Sequence, residues 1–284
     1  MKATVREYLD ALMPQALACR LQVIQPVAAA MVEAIGDRPL LEVTAWELEA
    51  PLGRAGYDLA EYLEHRRDWN NSYVETTTTP WIPADDGTQP HPLLEEHARR
   101  GFGGAGRVLE LGCGVGANAA FLAERGADVL GVDIAASAIA WGKNAFGPVG
   151  GRLSLEVGDS LGLDVAAGSF DFLLDSWCLH HIPVHLMPRH VSRAAEALRH
   201  AGELLLFVHS PKYNRTEGLL FLSTGVVGKA LRYVLEHDSE SCFSAAELER
   251  LLEPKFLVES IDHHYDHHLN ADRHYSFVVR AKRR

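Results

Sequence analysis

The sequence predicts an α/β fold: a mostly parallel sheet covered by helices on both faces, preceded by a mainly helical N-terminal extension. Three observations carry this expectation. From about residue 105 the apolar runs RVLEL, ADVLGVD, LSLEVGD, FDFLLDS and ELLLFVH alternate with helical stretches, the pattern of βαβ units. The first run opens into VLELGCGVG, with glycines at 112, 114 and 116 directly before the helix-forming ANAAFLAERG. Residues 1 to about 65 lack such runs and read as short helices broken by turn residues.

Taken in order, Thr4-x-x-Glu7 has the spacing of a capping box. Pro14 and Pro26 are expected to interrupt the helical pattern, and Gly36-Asp37 to end it. LLEVTAWELE, 40 to 49, alternates in part and is expected as a strand. Residues 66 to 104 are rich in Thr, Pro and Gly, so NNSYVETTTTPWIPADDGTQP reads as an ordered loop and PLLEEHARR as a short helix. Between the fifth strand and the last helix lies a segment at 211–241, whose FLSTGVVGKALRYVL stretch fits either a cap over a substrate or a packed helix. The expected division is therefore an extension and covering segment, 1–104, and an α/β domain, 105–284, with an insertion at about 211–241. No internal repeat or low-complexity tract interrupts it.

Bulk properties narrow the function classes. A chain of 284 residues with 47% hydrophobic content can bury a large core. Asp and Glu outnumber Lys and Arg by 38 to 27, and the basic residues are scattered, so nucleic acid is not an expected partner. Arg6, Glu7 and Asp10 sit where a signal peptide needs an unbroken apolar stretch, and no run reaches transmembrane length. The four cysteines, Cys19, Cys113, Cys178 and Cys242, lack ligand spacing and suit reduced thiols. A cytoplasmic protein with a small-molecule substrate and no membrane partner is the expectation. The extension is read either as a lid or as a homodimer interface.

The glycine turn invites a ligand. Gly112, Gly114 and Gly116 occupy the first strand-to-helix turn, where open α/β sheets bind ligands and where glycine permits positive φ and close backbone approach. Alone, the same glycines also describe a turn that merely packs a helix on a strand. Asp133 ends the second strand twenty-one residues after Gly112, placed to accept hydrogen bonds from a ribose diol, and Gly158-Asp159-Ser160 ends the third. A Walker loop is excluded, because no Gly-Lys-Ser/Thr follows. A nicotinamide dinucleotide would use Asp133 equally well. Against it stand Gly-x-Gly-x-Gly in place of Gly-x-Gly-x-x-Gly, and the acidic Glu110, which repels a pyrophosphate and tolerates a cationic cofactor.

At these residues the chain resembles the class I S-adenosylmethionine-dependent methyltransferases. The matching pieces are VLELGCGVGANAAFLA, GVDIAASAIAWGKNAF, VGDSLGL, FDFLLDSWCLHHIP and LRHAGELLLFVHSP with its turn at Ala201-Gly202, followed by FSAAELERLLEPKFLVESID and HYSFVVRAKRR. The resemblance implies a Rossmann-like seven-stranded sheet, mostly parallel with one antiparallel strand, ending in a helix and a closing hairpin. It implies S-adenosyl-L-methionine as cofactor. Glu110 and the glycine turn would hold its methionine end, Asp133 with Ile134 the ribose side, Asp159 with Ser160 the adenine, and Asp175 with Ser176 would border the methyl-transfer chamber. A narrower stretch, DWNNSYVETTTTPWIP with DDGTQPHPLL, is similar to the thiopurine methyltransferase-like group, as is DSWCLHHIP followed by Arg189. That likeness puts Trp69, Tyr73 and Trp81 in a segment closing over the cofactor, with aromatic faces toward a sulfonium.

Methyl transfer from an activated donor asks a protein mainly to align the nucleophile and exclude water. A thiolate needs little more; a hydroxyl or amine wants a base, and histidine serves at neutral pH. The candidates are His180, His181, His209 and His264. His263, His264, His267 and His268 also crowd IDHHYDHHLNADRH, which reads as surface or pocket histidines, as a source of one base, or as metal ligands. No metal is expected. The acceptor is expected to be a small molecule with a sulfur nucleophile, then oxygen or nitrogen. The alternatives are non-methyltransferase chemistry on the same cofactor and a nicotinamide-dependent oxidoreductase.

Overall fold

The computed structural model describes residues 3–16, 21–65, 69, 73, 88–147, 149–210, 225–236, 241–266 and 274–284. The β-rich runs become β1 (Arg107–Leu111), β2 (Asp128–Asp133), β3 (Leu153–Val157), β4 (Phe170–Ser176) and β5 (Leu198–His209), followed by β6 (Phe256–Asp266) and β7 (His274–Arg283). They form one sheet in the order β3-β2-β1-β4-β5-β7-β6. β1 to β5 pair in parallel, and β7 runs antiparallel to both β5 and β6. The strand order reverses between β1 and β4, so the crevice at the carboxyl ends of these two strands is the topological switch point.

Period-two alternation divides the core between the sheet's two faces. Leu173, Leu204, Leu206 and Val279 belong to one apolar cluster, while their neighbours Leu174, Leu205, Phe207 and Val278 belong to the other. The second cluster is completed by α5 (Pro92–Arg99), α6 (Ala117–Glu124) and α7 (Ala136–Phe146), through Leu94, Leu122 and Ile139. The first is completed by α8 (Met187–Ala197), α9 (Gly225–Glu236) and α10 (Ala245–Leu252), and by α1 (Val5–Ala16), α2 (Leu21–Ile35) and α3 (Glu49–Arg54) of the extension. Val5, Leu9, Val27, Met31 and Leu52 are buried there with the sheet residues, so the extension shares the domain's core.

Several local expectations hold. The Thr4 hydroxyl accepts from Glu7 N at 3.2 Å, and Glu7 returns a bond to Thr4 N at 2.8 Å, closing the capping box of α1. α2 stops at Ile35, and a Cβ on Gly36 would lie 2.4 Å from the Val32 carbonyl. The helix-to-strand turn expected at Ala201-Gly202 comes earlier, since α8 ends at Ala197 and β5 begins at Leu198; Ala201, at φ +58°, marks an irregularity inside β5 where the β4–β5 register shifts.

Two further expectations need correction. Pro14 and Pro26 do not break the helices; they lie inside α1 and α2. A helical Pro costs about 3 kcal/mol, and the buried Ile24, Val27 and Met31 of α2 recover about 1.5–3 kcal/mol each. Residues 40 to 49 form no strand. They make two 3₁₀ turns, Leu40–Glu42 and Ala45–Glu47, before α3. A second capping box decides this, since Glu47 Oε2 accepts from Thr44 N at 2.9 Å and bonds its hydroxyl at 3.0 Å. The alternation in this stretch is too short to overrule local hydrogen bonding.

Of the two readings of the insertion, its described part is a packed helix. Val227, Ala230, Leu231 and Val234 of α9 are buried, and α9 lies against α2. Lys229 meets Glu247 of α10 at 2.6 Å, Tyr233 donates to Glu61 of α4 (Leu59–His65) at 2.9 Å, and the Trp46 indole donates to the Leu251 carbonyl at 3.1 Å. No helix among the described residues is long and apolar enough to cross a membrane.

Candidate active site

Leaving β1, the chain turns through Gly112 (φ +66°), Gly114 (φ +55°) and Gly116 (φ +86°), all in the left-handed region that side chains disfavour. Space is a second constraint. A Cβ on Gly112 would lie 2.6 Å from the Cys178 Cβ, and one on Gly114 would lie 3.0 Å from the Tyr73 hydroxyl. The turn delivers α6 with its N-terminus facing the switch point.

Two carboxylates frame this turn. Asp133 Oδ2 accepts from Gly114 N at 2.7 Å and Oδ1 from Ala135 N at 2.8 Å, so the end of β2 fixes the loop after β1. Burial raises the Asp133 pKa against the pull of these amides. Ile134 follows, half-buried. Glu110 is 1% exposed on β1, and one oxygen accepts from Asn118 Nδ2 at 3.1 Å. Among the described residues its Oε2 has no hydrogen-bond partner, and the Ala119 amide supplies a further bond to the carboxyl group. Burial, reinforced by Asp133 and Asp175, pushes the Glu110 carboxyl up to about 8. Asn118, in the first turn of α6, also donates to Ser176 Oγ at 3.2 Å and accepts from His91 N at 2.8 Å. It thereby ties β1, β4 and the start of α5 together.

The far wall is a buried relay. Asp159 Oδ1 accepts from Leu161 N at 2.8 Å, turning the chain after β3. Ser160 Oγ lies 2.9 Å from His190 Nδ1, and His190 Nε2 lies 2.8 Å from Asp175 Oδ2. The other Asp175 oxygen accepts from Cys178 N at 2.9 Å and Leu179 N at 3.1 Å. Asp175 is 2% exposed with both oxygens engaged inside the protein, so it shapes the site's wall through the β4 turn. Burial pushes the Cys178 thiol well up, which keeps it protonated and unreactive. Asp175, Cys178 and His190 bring one potential metal-ligand atom each within 4.8 Å of one another.

After β4 the backbone is strained. Trp177 adopts φ +61°, costly for a bulky residue at about 1–3 kcal/mol, and is held by a 3.1 Å bond to the Phe207 carbonyl and by ring contacts with Phe207 and His91. This bend aims the turn Leu179–His181 at the end of β5. The His180 ring sits 4.0 Å from that of His181 and 4.1 Å from that of His209. Trp69 of the upstream segment meets His181 edge-on at 4.6 Å, and Tyr73 overhangs Gly114. Trp81 lies outside the described residues, as do His267 and His268. His264 pairs with Ser276 on β7, which pairs in turn with His209, so it stands at the same edge of the sheet two strands outboard. His263 faces the other way and stacks on Phe277 at 4.2 Å.

Comparison with known proteins finds likeness over part of the chain. Residues 108–202, about a third of it, match the methyltransferase domain family. This segment is similar to a methyltransferase domain. The magnesium-protoporphyrin O-methyltransferase of Rhodobacter capsulatus is 40% identical over 80 residues, 27% of this chain and 35% of that protein. The 2-heptyl-1-hydroxyquinolin-4(1H)-one methyltransferase of Mycobacteroides abscessus is 37% identical over 82 residues, 28% and 36% of the two chains. The match thus spans about a third of the length of these curated relatives. Among solved structures, the Burkholderia thailandensis 1,6-didemethyltoxoflavin-N1-methyltransferase, with 1,6-didemethyltoxoflavin and S-adenosylhomocysteine bound, superposes with TM-score 0.56 at 23% identity. It covers 79% of this chain and 89% of its own, and shares the fold.

Within the matched segment, the glycines, Glu110, Asp133 and Asp159 lie at or just past the carboxyl ends of β1, β2 and β3. Asn118, His190 and Trp177 also build the site, and sequence reasoning passed over all three. Asn118 was detectable as the polar residue in the first turn after the glycines. His190 and Trp177 carry no local signal, because their roles arise from contacts between separate elements.

Proposed function

We propose that the protein transfers a methyl group from S-adenosyl-L-methionine to a small-molecule acceptor, with sulfur favoured over oxygen and nitrogen. One observation carries the reading: the buried, half-satisfied Glu110 carboxylate beside the glycine turn. An orphaned buried acceptor costs about 1–3 kcal/mol, more when charged, and an ammonium at this position would supply the missing donor. The glycine backbone and Glu110 suit an amino-acid end, Asp133 retains lone pairs for a ribose diol, and Asp159 with Ser160 lines the far side. The bound cofactor would supply an activated methyl group on a sulfonium. The acid-rich edge suits that cation, and the Trp69–Tyr73 segment would exclude water.

The tests are calorimetric titrations with S-adenosylhomocysteine, with NAD as control, followed by product analysis with thiol acceptors. Micromolar binding of S-adenosylhomocysteine alone and a methylated product support the reading. NAD binding alone overturns it, and cofactor turnover without a methylated product reassigns the chemistry. The partial likeness to the thiopurine methyltransferase-like group supports a sulfur acceptor.

A further inference from the structure

The histidines at the sheet edge form a row. In an antiparallel sheet directly opposite residues share a face, with Cβ atoms about 4.5–5.5 Å apart. His264 opposes Ser276 and Ser276 opposes His209, so all three lie on one face, and the His180 ring packs at 45° against that of His209 at the inner end. His180 is 1% exposed, and among the described residues neither of its ring nitrogens has a hydrogen-bond partner. Ser276 Oγ is also buried and unpartnered among the described residues. Unsatisfied buried groups each cost about 1–3 kcal/mol and are rare in native cores. His180 itself follows the strained Trp177 bend and lies two residues past Cys178, whose Cβ would lie 2.6 Å from a Cβ on Gly112.

We propose that His180, with Ser276 and His209 beside it, receives the methyl acceptor, and that the acceptor carries an acidic X–H nucleophile, a thiol or a phenolic hydroxyl. This rests on the methyltransferase reading above. A lone pair on X forms the bond to the methyl carbon as the carbon–sulfur bond of the sulfonium breaks and its electron pair stays on sulfur. The X–H proton passes to a ring nitrogen of His180 and then to solvent. Burial and the neighbouring His181 and His209 hold His180 well below the ordinary histidine range, so it is neutral at pH 7 with a free acceptor. The same shift makes it a weak base. It matches a thiol near pKa 8.5 or a phenol near 10, by approximate reference values, and not an aliphatic alcohol.

The experiment uses the full chain with S-adenosylmethionine and two probes, a nitro-substituted thiophenol that is already ionised at pH 7.5 and an unsubstituted phenol that is not. His180→Asn should lower kcat/KM for the phenol by about a hundredfold and for the thiophenol by less than about threefold, with S-adenosylhomocysteine affinity unchanged. Equal losses on both probes, or no loss on either, overturn the base role. A wild-type protein that binds S-adenosylhomocysteine and methylates neither probe overturns the acceptor class. Failure to bind S-adenosylhomocysteine overturns the methyltransferase reading itself. If the variant does not fold, the wild-type pH profile decides. With S-adenosylmethionine held saturating at each pH, kcat for the phenol should be retained at pH 6.5, and a drop to half there overturns the assignment to the buried His180.

Discussion

Replacing Glu110 by Gln separates stability from binding at one atom. Gln keeps the oxygen that accepts from Asn118 and substitutes a neutral group at the unpartnered position. The folded carboxyl has its pKa pushed from 4.5 to about 8 by burial. An acid raised in the folded state binds more protons there than when unfolded, so its contribution falls as pH rises from 4.5 toward 8. At 1.36 kcal/mol per pH unit, the penalty at pH 8 has a ceiling of roughly 5 kcal/mol. Glu110→Gln should therefore raise Tm at pH 8, by about 2–4 °C per kcal/mol recovered, and change it little near pH 4.5. Binding should move oppositely. Losing a charge-assisted bond to an ammonium costs about 1.5–3 kcal/mol, so S-adenosylhomocysteine affinity should drop about 10- to 150-fold. In the wild type, binding must first ionise Glu110. The complex should release close to one proton per site at pH 7, and affinity should weaken about fiftyfold from pH 8 to pH 6. Calorimetry in buffers of different ionisation enthalpy, with thermal melts across pH, reads all of these. A variant no more stable than wild type at pH 8, or wild-type affinity flat with pH, refutes the reasoning.

Other perturbations test the remaining walls. Asp133→Ala should weaken S-adenosylhomocysteine binding by more than about tenfold in the same titration, and unchanged affinity removes the ribose assignment. His190→Phe leaves the buried Asp175 Oδ2 without its partner and should cost about 3–5 kcal/mol in urea unfolding; a loss below about 1 kcal/mol denies the relay a structural role. Trp69→Ala should speed S-adenosylhomocysteine release in stopped-flow while leaving Tm within a few degrees, and an unaltered rate reduces Trp69 to a packing contact with His181.

The legible parts of the fold were those whose cause is local. The five parallel strands follow from apolar runs between helical stretches, and the glycine turn from three residues that adopt φ values of +55° to +86° without the strain a side chain would bring. The capping box at Thr4 is equally local. Residues 40 to 49 misled because a short alternation is shared by strands and by 3₁₀ turns, and only the Thr44–Glu47 bonds distinguish them. At the site, the β-strand ends placed Glu110, Asp133 and Asp159 in advance. His190 could not be placed, since its partners Ser160 and Asp175 lie 30 and 15 residues away in sequence and meet it only once α8 packs on the sheet. Trp177 was equally hidden, because a bulky aromatic is the opposite of a signal for left-handed backbone.

The distribution of conflict argues for where the function lies. On the side built by the extension many polar groups are paired: Ser244 and Glu247 close a capping box, Lys229 meets Glu247, and Trp46 reaches Leu251, while His185 is buried there with neither ring nitrogen hydrogen-bonded among the described residues. At the carboxyl edge of β1, β4 and β5 such groups are denser. Among the described residues, Glu110 is buried with an unpaired oxygen, His180 with two unpaired nitrogens and the Trp177 indole with an unpaired N–H, on a strained backbone. Each costs about 1–3 kcal/mol, against a total stability of about 5–15 kcal/mol for a typical domain. Costs of this kind also occur at His185 and Ser260, away from the site, but they are densest around the carboxyl ends of β1, β4 and β5, where a bound ligand would complete the missing bonds.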